Sequence, residues 1–302
     1  MGFKLESMNI KVMTEDGYEL EGTLYESPDA RAVVVINPGT ATKTIFYDAF
    51  ARFLSGHGYH VFLWNYRGFC ESRNGSLRNS KIRFTDLGRY DIPAVIEMLK
   101  INYPNLPLFC VGHSVGGQQI GLANNHNKLD GLIAIAVSGG YFFNMPLGYR
   151  LKALAFFKVI VPLFDVLFGY VPAGKLNLME DLPSLLAKEW GRWCSEPEYL
   201  FSKKVVGVTL PEHTYKDIDF PVYVLVADDD EISTSKNVQN FWQNVRSSKQ
   251  IEFKTYKSIQ FSQGKIGHFG YFKKVNRDIW EDVLDLLRGM ELQIEIGPDS
   301  SI

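Results

Sequence analysis

Gly112-His113-Ser114-Val115-Gly116, entered from LFCV (Leu108 to Val111) and left through GQQIGLANN (Gly117 to Asn125), decides how this chain is read. The G-x-S-x-G pattern describes a nucleophile elbow, in which a serine sits on a strained strand-to-helix turn with its hydroxyl exposed. The glycines stand two residues to either side because bulkier neighbours would collide there. A helix starting at the elbow aims its amide dipoles at the same point. The bare pattern also arises as a glycine turn with a capping serine. Its place between a buried strand and a helix is what makes it specific.

Working outward, NIKVM and YELEGTLYE around the turn TEDG read as an N-terminal hairpin. AVVVINPG (Ala32 to Gly39) is a continuous β-branched run, as in a parallel strand covered on both faces. Then follow a helical pattern from Tyr47 to Gly56, the strand HVFLWNY, a helix from about Asp86 to Asn102, and LFCVGH leading into the elbow and a helix from near Val115. LIAIAVSG, PVYVLVA, a helix from about Ser235 to Val245, IEFKTY and a helix over Arg277 to Arg288 complete the series. The alternation predicts an α/β fold with a mostly parallel eight-stranded sheet and helices on both faces. The rhythm stops between Gly140 and Asp219, where about eighty residues are mostly helical and rich in aromatics. A structureless loop of that length is improbable in a compact domain. The expected organisation is therefore a core over 1–139, a helical cap over 140–219 and the rest of the core over 220–302, with the cap above the strand ends where open α/β sheets bind ligands.

An elbow serine of this kind is followed along the chain by an acid after a late strand and a histidine near the C-terminus. Asp228-Asp229-Asp230-Glu231-Ile232 follows VYVLVA; Asp230 is the choice, three residues past Ala227 and two before Ile232, with Asp229 as competitor. His268 in GKIGHFGYF is the expected base, its ring free to reach forward between Gly267 and Gly270. His57, His60, His126 and His213 read as surface or capping residues, and His113 as packing beside the serine without acting as base. Ser114 would then attack a carbonyl, His268 would take its proton, Asp230 would hold the imidazole, and water would hydrolyse the acyl-enzyme. Val115 N–H and Thr40 N–H, the latter in Asn37-Pro38-Gly39-Thr40-Ala41, are the expected oxyanion donors; loss of one costs ~3 kcal/mol in the barrier.

The totals narrow the class. With 302 residues, 46% hydrophobic and 22% charged, the chain is of ordinary globular composition. Its 32 basic and 34 acidic residues are interspersed and sum to −2, which supplies no clustered positive potential for nucleic acid or an anionic membrane surface. Cys70, Cys110 and Cys194 cannot all pair and have no metal-ligand spacing, so a reducing cytoplasm is expected, with neither metal nor cofactor. MGFKLESMNI has no apolar signal core, and Glu6 stands where a myristoylation signal wants Ser or Thr. Leu151 to Tyr170 is apolar but interrupted by Lys152, Lys158, Pro162 and Asp165, and reads as a buried or lid helix, with no stable membrane insertion. A small acyl substrate and a monomer or homodimer are expected.

On these residues the chain resembles the α/β-hydrolases over nearly its whole length, and more narrowly a bacterial group of predicted hydrolases in the serine aminopeptidase/lysophospholipase-like branch. YDAFARFLSGHGYHVFLWNYRGFCES, VGHSVGGQQIGL, GYVPAGKLNLMEDLPSLLAKEWGRWCSEPEY and IGHFGYF carry the narrower likeness. The resemblance implies triad positions at Ser114, Asp230 and His268. It departs where relatives show D-Y-R-G-x-G-x-S: here Asn65 replaces the acid and Cys70 the second glycine, a place where φ is expected to be positive. Tyr141, Phe142 and Trp190, among the cap's aromatics, are candidate substrate contacts suited to a hydrophobic ester or thioester, or else they glue the cap to the sheet. Glu180, Asp181 and Glu189 leave recognition of a free amine open. Two other functions use the same fold: a catalytically silent ligand-binding or interaction protein, and an acyltransferase.

Overall fold

A computed structural model describes residues 7–176, 179–210 and 213–296; the first six residues, from which part of the targeting expectation was read, lie outside them. The hairpin forms as β1 (Ser7–Met13) and β2 (Glu19–Tyr25). The apolar runs become β3 (Ala32–Asn37), β4 (Tyr59–Trp64), β5 (Leu108–His113) and β6 (Gly131–Ile135). A two-residue pair, β7 (Tyr170–Val171) with β8 (Leu182–Pro183), stands apart, and β9 (Val222–Ala227) and β10 (Ile251–Tyr256) finish the sheet. The eight main strands run in the order β1-β2-β4-β3-β5-β6-β9-β10, with β2 alone opposed to its neighbours.

β3, β5, β6 and β9 are buried at every residue, which is why they read as continuous apolar runs. Their period of two survives as a division between two cores. Val33 and Val35 pack with Val95, Leu186 and Phe241 on one face; Val34 and Ile36 pack with Phe50, Trp280 and Leu284 on the other. The helices that supply these faces are α1 (Ile45–Ser55), α2 (Phe84–Asp86), which passes through a π turn at Leu87–Asp91 into α3 (Ile92–Asn102), and the short α4 (Val115–Gln118). Between β6 and β9 come α5 (Leu147–Ala155), a π turn at Phe156–Ile160, α6 (Val161–Phe168) and α7 (Ser184–Trp193). The last two are α8 (Ser235–Trp242) and α9 (Arg277–Ile296).

Three sequence expectations need adjustment. The helix after the elbow is a single turn, broken at Gln119 and resumed as a 3-10 turn at Ile120–Leu122. At the break Tyr215 OH donates to Gln118 O and Thr214 N–H to Gly121 O at 2.8 Å, so residues 214–215 take carbonyls that a continued helix would use, and Gly121 lets the Tyr215 ring come this close. His126 accordingly lies beyond it in a separate turn and is buried, its Nδ1 2.9 Å from Ala123 O. The C-terminal helix runs past Arg288 to Ile296, because its buried stripe continues through Met290. The stretch Leu151 to Tyr170 is half buried: Phe156 and Val161 face inward while Leu151, Val159, Leu163, Val166 and Leu167 are exposed.

Candidate active site

The strand order reverses direction of growth between β3 and β5, the switch point where open α/β sheets leave a crevice at their C-terminal edge. Ser114 follows β5 there, with φ 52° and ψ −116°, a conformation that L residues rarely adopt. Two contacts impose it. Ser114 N–H donates to Ile135 O at 2.9 Å, and a Cβ on Gly116 would lie 2.2 Å from Asn37 O, so the chain turns tightly against β3. Asn37 clamps the same junction, donating to Gly116 O at 3.2 Å and accepting from Trp64 Nε1 at 2.9 Å.

Past β9, the four successive acids separate by what they touch. Asp230 Oδ2 is 2.8 Å from His268 Nδ1, while its Oδ1 accepts from Ile232 N–H at 2.8 Å and Ser233 N–H at 2.9 Å. Burial would raise this carboxyl, but the charge and N–H of His268 and the two backbone donors outweigh it and hold it below the usual carboxylate range. An ionised carboxylate only accepts, so His268 carries its proton on Nδ1 and leaves Nε2 as the basic nitrogen. Asp229 plays a different part. Its oxygens accept from Ile266 N–H and Gly267 N–H, both at 2.9 Å, which fixes the loop that presents His268. Among the described residues no hydrogen bond joins Ser114 Oγ to His268. Such bonds are often formed only in the substrate complex. Neither Val115 N–H nor Thr40 N–H donates to another group among the described residues, so both donors are unspent.

A second hydrogen-bond chain, not legible in the sequence, runs behind the site. Gly39 N–H donates to Tyr47 OH at 2.8 Å, Tyr47 OH lies 2.7 Å from His113 Nδ1, and His113 Nε2 lies 2.8 Å from the backbone oxygen of His268. The last acceptor is a carbonyl, so His113 must donate from Nε2 and Tyr47 must donate to Nδ1. Every link then points one way, from the loop after β3 to the loop of His268. Burial keeps both groups in these forms, raising the Tyr47 phenol and lowering His113 to about 3. His113 thus does more than pack beside the serine: through Tyr47 it ties the backbone of His268 to the loop carrying Thr40.

The loop after β4 carries the departures at Asn65 and Cys70. Asn65 is buried and donates to Glu71 Oε2 at 2.7 Å. An aspartate there would face the Glu71 carboxylate, so the amide converts a repulsion into a bond. Cys70 has φ 42°, the region where glycine is favoured, and its thiol is pushed up to about 11 by burial and by Glu180 and Glu71. That is the opposite of an activated nucleophile. Arg67 anchors the loop from below through Asp91 at 2.6 Å and Asp16 at 2.7 Å.

The aromatic candidates divide. Phe142 is buried against Phe157 within the residues after β6, whereas Trp190 stacks on Phe84 of α2 at 5.6 Å and so joins that segment to the core. Tyr141 is half-buried, beside Phe143 at 5.5 Å. Tyr149 was not singled out in the sequence, where nothing marks it off from its helical neighbours. Its phenol is pushed up to about 12 by burial and then by the charge of Asp230. The three acids considered for amine recognition are engaged. Glu180 pairs with Lys43 at 3.3 Å, Asp181 with Arg73 at 3.5 Å, and Glu189 accepts from Thr85 N–H at 3.0 Å. No group of three or more His, Cys, Asp or Glu side chains that could hold a metal occurs among the described residues.

A family model described as serine aminopeptidase, S33, matches residues 28–178. Over 88 residues the chain is 31% identical to a monoglyceride lipase homolog of monkeypox virus, a stretch that covers 28% of this chain and 30% of that protein. An esterase from Pyrococcus furiosus superposes with a TM-score of 0.62 at 16% identity, over 94% of this chain and 91% of its own. A soluble variant of monoglyceride lipase from Saccharomyces cerevisiae, solved with a substrate analog, gives 0.62 at 17%, over 96% and 95%. At these identities the structural likeness is one of fold.

Proposed function

The chain belongs to the serine aminopeptidase S33 family and is a hydrolase of the α/β-hydrolase type, and from that premise we propose that it cleaves an ester or thioester bearing a hydrophobic acyl group, with Ser114 as nucleophile, His268 as base and Asp230 as orienting acid. The observation that carries this reading is the 2.8 Å His268–Asp230 contact at the same sheet edge as a serine held at φ 52°. Ser114 Oγ adds to the substrate carbonyl as its proton passes to His268 Nε2. The oxyanion is met by Val115 N–H and Thr40 N–H, and the imidazolium is stabilised by Asp230. Collapse expels the alcohol or thiol with the proton from His268. Water, deprotonated by the same nitrogen, then releases the acid and restores Ser114.

Residues 140–219 act in this proposal as the cap. Glu180 N–H donates to Ala41 O at 3.1 Å, so the segment holds the loop of Thr40 from above. Tyr149 and Tyr141 are half-buried rings of this segment that could wall an acyl tail. An apolar tail suits these surroundings better than a free amine does, because Glu180 and Asp181 are already paired with Lys43 and Arg73.

The test is labelling by a fluorophosphonate followed by peptide mass spectrometry, then a panel of esters and thioesters of increasing chain length. Labelling at Ser114, lost in Ser114→Ala and His268→Ala, with turnover rising along the chain-length series, is the expected result. A folded protein that resists even small probes would instead favour the ligand-binding alternative.

A further inference from the structure

We propose that β10, the open edge of the sheet, pairs antiparallel with β10 of a second copy of this chain, with Phe253 on the two-fold axis. β10 is bonded on one side only, to β9. Two bonds at its ends show which of its backbone groups are spent: Asp228 N–H donates to Tyr256 O at 3.0 Å, and Val222 N–H to Gln250 O at 3.1 Å. Along a strand, the N–H and C=O of one residue leave on the same side, and those of the next residue leave on the other. Residues 250, 252, 254 and 256 therefore turn these groups toward β9, and Ile251, Phe253 and Thr255 turn theirs outward. Among the described residues no turn, loop or side-chain bond takes the outward groups. The strand is exposed from Glu252 to Thr255, with Phe253 55% exposed, so no described part of the chain covers this row. An edge left bare in this way is a template for another strand.

The charges on the strand select both the occupant and the register. With the axis at Phe253, Glu252 of each copy stands opposite Lys254 of the other, and every outward N–H and C=O of residues 251, 253 and 255 meets a complementary group. The Glu252–Lys254 pairs fall at the non-hydrogen-bonded positions, where Cα atoms are ~4.5 Å apart and side chains interact most closely. Moving the axis by one residue either way sets Glu252 against Glu252 or Lys254 against Lys254, so the like charges reject the neighbouring registers. Glu252 has no ion pair among the described residues, and Lys254 is held on this face by Asp282 at 2.6 Å. On the other face Phe253 meets Trp242 edge-on at 6.1 Å, and with Ile251 and Thr255 it lines an open groove of about 810 Å³. Pairing would set a second Phe253 beside the first at this groove and cover its exposed ring. An unrelated strand would have to carry the same acid-x-base order to fit; the chain's own copy carries it. The opposite edge, β1, has no such order: its one charge, Lys11, is taken by Glu19 at 2.7 Å. The pairing would join the two eight-stranded sheets into one. It does not depend on the chemistry proposed at Ser114.

Sedimentation velocity of the full chain over a micromolar concentration series tests this. The wild type should form a dimer whose dissociation constant rises at least about tenfold in Glu252→Lys and in Lys254→Glu, because either change sets like charges opposite one another at both cross-strand pairs. The double exchange Glu252→Lys/Lys254→Glu should restore the dimer. An equimolar mixture of the two single variants should form a heterodimer, since every cross-strand pair is then again of opposite sign. Thr255→Pro removes an outward N–H and leaves the ladder to β9 intact, so it too should weaken the dimer while the chain stays folded. Thermal melts that match the wild type show that each variant is folded. A wild type that stays monomeric throughout the series, single variants that dimerise as well as the wild type, or failure of either the double exchange or the mixture to restore pairing would each overturn the proposal.

Discussion

The crevice between β3 and β5, which holds the candidate serine, and the helices between β6 and β9 are built by different rules. In the crevice, positions are over-determined. Asn37 is bonded to both Gly116 and Trp64, Asp230 accepts three hydrogen bonds, and Asp229 pins the loop of His268. The inserted helices are held by aromatic packing and a few polar latches, and they leave a long apolar face uncovered. A side chain altered in the first region should change chemistry; one altered in the second should change what reaches the chemistry.

The sharpest way to break that division is Ser114→Ala, for which ester turnover should fall by about 10⁶-fold, as when a triad nucleophile is removed, while Tm is kept. A fall of only tenfold would mean that the crevice is not where the reaction occurs. Next in size is the contrast of neighbouring acids. Asp230→Asn should lower kcat by roughly 10⁴-fold, because an amide facing Nδ1 favours the wrong imidazole tautomer. Asp229→Asn disturbs only the loop's backbone donors and should cost about tenfold, recovered in part at lower temperature. Similar losses in both would show that the acid's identity matters less than the loop's order.

A smaller effect tests the chain behind the site. Tyr47→Phe removes the acceptor of Gly39 N–H and the donor to His113 Nδ1. The freed Nδ1 can then take the proton, turning the Nε2 lone pair toward the His268 carbonyl. We expect kcat to drop about tenfold with KM nearly unchanged, since the base shifts relative to Ser114 while the acyl surroundings stay. A change confined to KM would place Tyr47 with the substrate and not with the histidine.

The same contrast governs what could be read from the sequence. β3, β5, β6 and β9 announce themselves through unbroken β-branched runs, and the order serine, acid, histidine follows from the connectivity of the sheet. The sequence prefers Asp230 to Asp229 by its distance from Ala227, a local spacing, and in the fold it is the Asp230 carboxylate that meets His268. Tyr47 was not separable from Phe46 or Phe50, because its role depends on Gly39 and His113, which only the folded sheet brings near. Phe142 and Trp190 illustrate the converse. Aromatics on an amphipathic helix look alike whether they meet a ligand or Phe84 and Phe157, and the side of the helix that is left bare is decided by tertiary packing.

The smallest expected effect opposes the two regions by sign. His113, in the crevice, is lowered from 6.5 to about 3, chiefly by burial. The unfolded chain binds that proton first, so this group's contribution to stability is intact above about pH 6.5 and is lost as pH falls toward 3, by about 1.4 kcal/mol per unit. Glu189, the latch on Thr85, is raised above 4.5 by burial, against the opposing hydrogen bonds from Thr85. Here the folded chain keeps its proton longer, so stability is lost as pH rises from 4.5. Glu189→Gln retains a carbonyl for Thr85 N–H and removes the buried charge. The Tm of this variant minus that of the wild type should therefore rise by a few degrees from pH ~4 to pH ~7, whereas for His113→Gln the same quantity should fall over that range. Two differences that move together would mean that the inserted helices and the crevice titrate as one unit, and that the latch is as rigid a part of the site as the elbow.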